Sequence, residues 1–190
     1  MRTTHRLRSA VLAAGIGIAA IAPAMANSIF LKIPGVTGPV TNAGFQGDIQ
    51  LTAYSQGFSD PATLGTGAGG GGGKTTCGAI SITKMVDSTS PDFLQYVTRG
   101  VAIPSATIYF LGNTNGNAPA GVSYTVVLTN VIVTSITQGD TVSHTSGLGM
   151  TENISMIAEK FQFTYRSASA DGAPGKVETF GFDCVTNRTT

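Results

Sequence analysis

Few residues in this 190-residue chain have types and spacing that could do chemistry. Residues 68–75 (AGGGGGKT) fit a loosened phosphate-loop pattern, with Lys74 and Thr75 in the expected places. A working phosphate loop joins a buried strand to a helix whose first N–H groups hold the phosphates. Here residues 59–67 precede the run, an alternating segment from Cys77 to Thr83 follows it, and the first position is Ala68 rather than Gly. The run therefore reads as an interaction loop. Asp140, Ser143 and His144 are the residue types of a hydrolytic triad, but all three lie in one Ser/Thr/Gly loop with no rigid element to aim them. They read as solvated loop residues. No cluster of His, Cys and carboxylates has the convergence a zinc site needs. The acidic residues are scattered, without the close pair that glycoside hydrolysis uses. Lys84 and Asp87 flank a helix start and read as cap or surface charges. The expectation is a non-enzyme without cofactor or metal. Without interleaved aromatic and basic residues, nucleic-acid binding has no support either.

The elements that would have to position these residues are strands. Ile29, Leu31 and Ile33 share one parity, as do Ile49, Leu51 and Ala53, and Ile80 and Ile82. Ile108 and Phe110 follow the same rule, then Phe161, Phe163 and Tyr165, and finally Phe180 and Phe182. Such period-2 patterns mark half-buried strands. Residues 124–137 (YTVVLTNVIVTSIT) are apolar on both parities, and their β-branched content favours a strand with two covered faces or a bend near Asn130. One helix is signalled: Ser90 as cap, Pro91 at the first helical position, Asp92 in the first turn, Arg99 in the last, and Gly100 as the left-handed stop. Phe93, Leu94 and Val97 would face a sheet. The Gly run excludes regular structure over 57–76, while 112–121 and 139–149 read as polar connections. The predicted fold class is mainly all-β: a compact antiparallel β-barrel or sandwich of seven or more strands with one short side helix.

Residues 1–26 have the layout of a secretory signal peptide. Arg2, Arg6 and Arg8 precede an uncharged apolar run, residues 10–22, and Ala24-Met25-Ala26 supplies a small-residue cleavage site before Asn27. The alternative is a start at Met25. Cleavage between Ala26 and Asn27 leaves one domain, residues 27–190, with 8 basic and 10 acidic residues. It contains no second long apolar run, so no membrane association is expected after processing. The whole chain is only 11% charged, against roughly 25% in ordinary soluble domains. Its two cysteines, Cys77 and Cys184, both survive processing, and an exported protein with two cysteines invites a bridge. Closing a span of about a hundred residues would give a nominal chain-entropy gain of roughly 4–5 kcal/mol. Against it, Cys184 shares parity with Phe180 and Phe182, while Cys77 opposes Ile80 and Ile82. A bridge and two separate thiols both remain open on the sequence.

Several segments, in order, resemble the haemolysin-coregulated protein family, the tube protein of type VI secretion. Ile29-Phe30-Leu31-Lys32-Ile33-Pro34-Gly35-Val36-Thr37-Gly38 resembles that family's opening strand and turn. The Gly run before Lys74 resembles its extended loop, and residues 82–91 (ITKMVDSTSP) its strand-to-helix segment. Residues 151–155 (TENIS) and 161–165 (FQFTY) resemble a late strand pair, and residues 177–182 the closing strand. The resemblance covers nearly all of 28–183. It implies a compact barrel that forms homohexameric rings, stacks into a hollow tube, carries small effectors with the spike components, and has no catalytic residues. A signal peptide departs from the family, whose members are assembled in the cytoplasm. Three classes follow: a secretion tube or effector carrier, a stand-alone exported ring or surface-interaction protein, and an unrelated β-sandwich binding module. The Gly loop and the Ser-Pro helix favour the first two. Localisation is accordingly secreted or periplasmic, or cytoplasmic before type VI secretion if Met25 is the start. An imperfectly closed barrel leaves strand edges that a second copy can cover. The loop residues Gly69, Gly70, Gly71, Gly72, Gly73 and Lys74 are then the candidate ring-stacking contact.

Overall fold

The computed structural model describes residues 28–61, 73–112, 121–140, 149–168 and 174–190. Ala26, Asn27, Gly69, Gly70, Gly71, Gly72, Ser143 and His144 lie outside them. The strands are β1 (Ile29–Lys32), β2 (Ile49–Leu51), β3 (Ala53–Ser55), β4 (Phe58–Ser59), β5 (Thr76–Cys77) and β6 (Ile80–Met85). Helix α1 (Ser90–Arg99) follows, then β7 (Ile103–Leu111), β8 (Val122–Gly139), β9 (Thr151–Ala168), β10 (Pro174–Asp183) and β11 (Arg188–Thr189).

The antiparallel pairings close on themselves. β1 pairs with β2 on one side and β7 on the other. The sheet continues β7–β8–β9, and the first part of β9 pairs with β6. β6 pairs with β3, which continues from β2 past Thr52, where the Thr52 N–H donates to the Thr83 carbonyl at 2.8 Å. The circuit returns to β1, so this is a barrel. β9, 18 residues long, serves two neighbours in turn: 151–156 face β6 and 160–168 face β10. It also corrects an expectation, because TENIS and FQFTY are parts of this one strand rather than a pair.

Closure buries Leu31, Ile49, Ile80, Ile82, Ile108, Val126, Leu128, Ile154, Met156 and Phe161 in one core. Phe30, on the other face of β1, is also buried, with Phe45 stacked on it at 4.8 Å between ring centroids. The two-parity pattern of 124–137 is a bend. Val126 and Leu128 point inward, then Val131 and Val133, then Ile136 in part. Asn130 takes a left-handed φ of 52° between the first two pairs, and the register slips once between Val133 and Ser135. An extra residue moves the following side chains to the other face of a pleated strand. A similar break at Thr52 overturns the expected shared parity of Ala53 with Leu51: Ala53 is exposed and Tyr54 turns partly inward.

Helix α1 forms where expected and ends at Gly100, φ 61°, but two details differ. The cap position is Thr89, without a side-chain capping bond, because the Ser90 hydroxyl is engaged elsewhere. Phe93 is buried on the barrel, whereas Leu94 stays 39% exposed. The segment 57–76 is not wholly irregular either, since its two ends pair as β4 and β5.

Candidate functional site: a clasped arm, a buried charge cluster and an apolar edge

β4 and β5 form a separate two-stranded sheet, an arm leaving the barrel between β3 and β6. At its base the Gly78 N–H donates to the Gly57 carbonyl at 2.7 Å. A Cβ on Gly78 would come within 2.8 Å of that same oxygen, so the close approach needs glycine. Towards the tip the Gly73 N–H reaches Asp60 Oδ1 at 2.9 Å, and Lys74 is exposed. Lys74 and Thr75 lead into strand β5, so the phosphate-loop pattern has no helix N-terminus to complete it.

Two attachments hold the arm to the barrel. Phe58 sets its ring edge-on to Phe161, Phe163 and Phe182, with centroids 5.2, 5.9 and 5.8 Å away. Cys77 is bonded to Cys184, with Cα atoms 6.1 Å apart. The parity argument against this pairing does not apply, because Gly78 and Ala79 separate β5 from β6 and Cys184 lies beyond the end of β10. The Cys184 end is itself fixed. Its N–H donates to the Glu159 carbonyl, and Asp183 Oδ1 accepts the N–H groups of Val185 and Thr186. Lys160 pairs with Asp183 Oδ2 at 3.1 Å. The Thr186 backbone bond, then the lysine, hold the Asp183 carboxyl below its usual range.

Beneath the helix lies a charge cluster that sequence reasoning misread. Lys84 and Glu152, cross-strand partners on β6 and β9, are both fully buried and 2.8 Å apart. Lys84 Nζ also contacts Asp87 Oδ1 at 2.8 Å and donates to Ser90 Oγ and the Met85 carbonyl. Ser90 Oγ donates to Glu152 Oε1, and Gln138 donates to Glu152 Oε2. Burial pushes the Asp87 carboxyl up, but hydrogen bonds from Lys84 and Thr89 outweigh it and hold the group below its usual range. Glu152, Asp87, Ser90 and the Met85 carbonyl thus surround Lys84 Nζ with four acceptors, one more than an ammonium has protons to give. The cluster joins the helix to the barrel. The signal was in the sequence, since Lys84 shares the inward parity of Ile80 and Ile82.

An aromatic row crosses the sheet from Tyr54 through Phe110, Tyr124 and Phe163 to Phe180. It ends on β10, where Val177 and Phe180 are about half exposed and β11 covers only Phe182 and Asp183. Asp140 ends the described part of its loop. Among the described residues no three His, Cys, Asp or Glu side chains stand close enough to hold a metal.

A closed antiparallel barrel with one docked helix, a projecting arm and an apolar edge defines a structural class of small barrel subunits. The family model described as "Type VI secretion system effector, Hcp" matches residues 30–171, and the chain belongs to that family, the tube and effector proteins of type VI secretion. The fold is similar to a solved "type six secretion system protein" at 18% identity, covering 87% of this chain and 100% of that one, with a TM-score of 0.78. It is also similar to Hcp1 from Salmonella typhimurium, at 21% identity, 87% and 100% coverage and a TM-score of 0.69. A type VI secretion system effector from Yersinia pestis follows at 19% identity, 82% and 98% coverage and a TM-score of 0.62. No curated protein matches the chain by sequence.

Proposed function

We propose that the mature chain, residues 27–190, is a non-enzymatic ring subunit that associates with five copies of itself and stacks into a tube able to carry small effectors and meet the spike. The observation that carries this is the family match over 30–171 on a barrel whose β10 edge is mostly uncovered and exposes Val177 and Phe180 beside the Lys176–Glu178 pair. An unpaired strand edge is a template for another chain, and a head-to-tail contact that closes makes a ring. The number six comes from the family. Residues Gly69 to Gly73 and Lys74 are the proposed stacking contact. Light scattering on purified mature protein should give about six times the subunit mass. Phe180→Asp should shift it to smaller species. A concentration-independent monomer in the unmutated protein would remove the ring.

The signal-peptide layout of residues 1–26 and the pairing of Cys77 with Cys184 favour a second reading, an exported ring working outside the cytoplasm. In that reading the chain is cut between Ala26 and Asn27 and bridged after export. N-terminal sequencing of the natural protein with its compartment separates the two. A cytoplasmic species beginning at Met25 rejects export.

A further inference from the structure

We infer that the Cys77–Cys184 bridge is a redox clasp on the β4–β5 arm, so that reduction releases the arm while the barrel stays closed. The arm shares no described backbone ladder with the barrel. Its described attachments are the bridge, the ring contacts of Phe58, the packing of Cys77 on the core, and the chain itself at β3 and β6. None of the pairings that close the barrel passes through β4 or β5. Opening the arm therefore breaks no rung of the barrel. Phe58, already 37% exposed, is then the main non-covalent hold, and one aromatic contact is worth about 0.5–1.5 kcal/mol beyond its buried area.

Both half-cystines are partly exposed, so exchange partners can reach them. The step is thiol–disulfide exchange. The two thiols of Cys77 and Cys184 lose their protons and form the S–S bond, and a disulfide of the oxidising compartment, protein-borne or of a small thiol, is reduced to two thiols. A dithiol reductant runs the exchange backwards. The geometry of the arm thereby records the compartment: held only by the non-covalent packing of Phe58 and Cys77 where thiols stay reduced, covalently clasped where they do not. When the arm lifts, the faces of Phe161, Phe163 and Phe182 that Phe58 covers come into reach of a partner or solvent.

The inference rests on the bridge being formed in the mature protein, and its test keeps that question separate. Thiol titration of the denatured, unreduced protein comes first: two reactive thiols per chain reject the bridge and, with it, the clasp. Given no free thiol, limited trypsin digestion is followed by mass at two sites. Lys74 lies in the arm and is exposed, and Lys84 lies in β6 and is fully buried, so it is cut only if the barrel unfolds. Adding a phosphine reductant should speed cleavage after Lys74 by about ten-fold or more, because cleavage tracks the population of the open form. Cleavage after Lys84 should stay undetected over the same time. A C77A/C184A double variant should match the reduced protein, and the reductant arm decides the matter if that variant does not fold. An unchanged rate at Lys74 overturns the clasp, and so does simultaneous cleavage at Lys74 and Lys84, which makes the bridge a staple of the whole fold.

Discussion

Removing one member of the Lys84–Glu152 pair leaves the other charged and buried, a loss of about 3–5 kcal/mol. Urea unfolding of Lys84→Ala or Glu152→Ala should show that loss, while the double change Lys84→Met with Glu152→Leu should recover most of it. A larger loss in the double variant would mean that Ser90 and Gln138 depend on the charges. Asp87 adds a pH term. Its folded pKa lies below the ordinary 3.8, so its contribution is present above that value and is lost as pH falls through the folded one. Asp87→Asn should flatten the acid limb of a stability–pH curve and leave neutral pH as the point of largest difference. The Tyr54 hydroxyl is buried without a hydrogen-bond partner, so Tyr54→Phe should leave the thermal midpoint equal or higher. At this scale the apolar core was legible in the strand alternation of Ile80 and Ile82. The lysine two residues on shares their parity, but that signal was not enough to read its burial, because a lysine is almost never fully buried unless paired and its partner lies 68 positions away, at Glu152.

Among the elements, β8 depends on Asn130. A left-handed φ suits Asn or Gly, and a β-branched residue there costs roughly 1–2 kcal/mol. Asn130→Val should therefore destabilise by about that much in denaturant titration, and Asn130→Gly, which loses only the bond to Glu159, should sit near the parent protein. The bend itself could be read from residues 124–137, since an apolar stretch on both parities must either be covered twice or turn. The helix was legible from Pro91 to Gly100, though its cap moved to Thr89 when Ser90 joined the charge cluster. The stem of the arm was not legible. Two-residue strands such as β4 and β5 carry no periodicity, and they pair only because the chain returns on itself at Gly57 and Gly78.

For the whole molecule, the bridge spans 107 positions, and reduction should lower the unfolding free energy from guanidinium titration by an amount approaching the nominal chain-entropy term of roughly 4–5 kcal/mol. A midpoint unmoved by reductant would show that the unfolded chain gains little freedom. The closed circuit has a further consequence, in time rather than in space. β1 takes its partner β7 by pairing Ile29 with Phe110, and Lys84 waits for Glu152. Contacts so distant in sequence are made late, after the local β7–β8–β9–β10 meander. A chain threaded N-terminus first through a narrow pore thus brings its opening strand to β2 early, but leaves the other side of that strand open until β7 has followed it. Until β9 has also arrived to meet β6, no shorter stretch can shut the ring of strands, so a half-delivered molecule stays open instead of lodging in its channel as a finished plug.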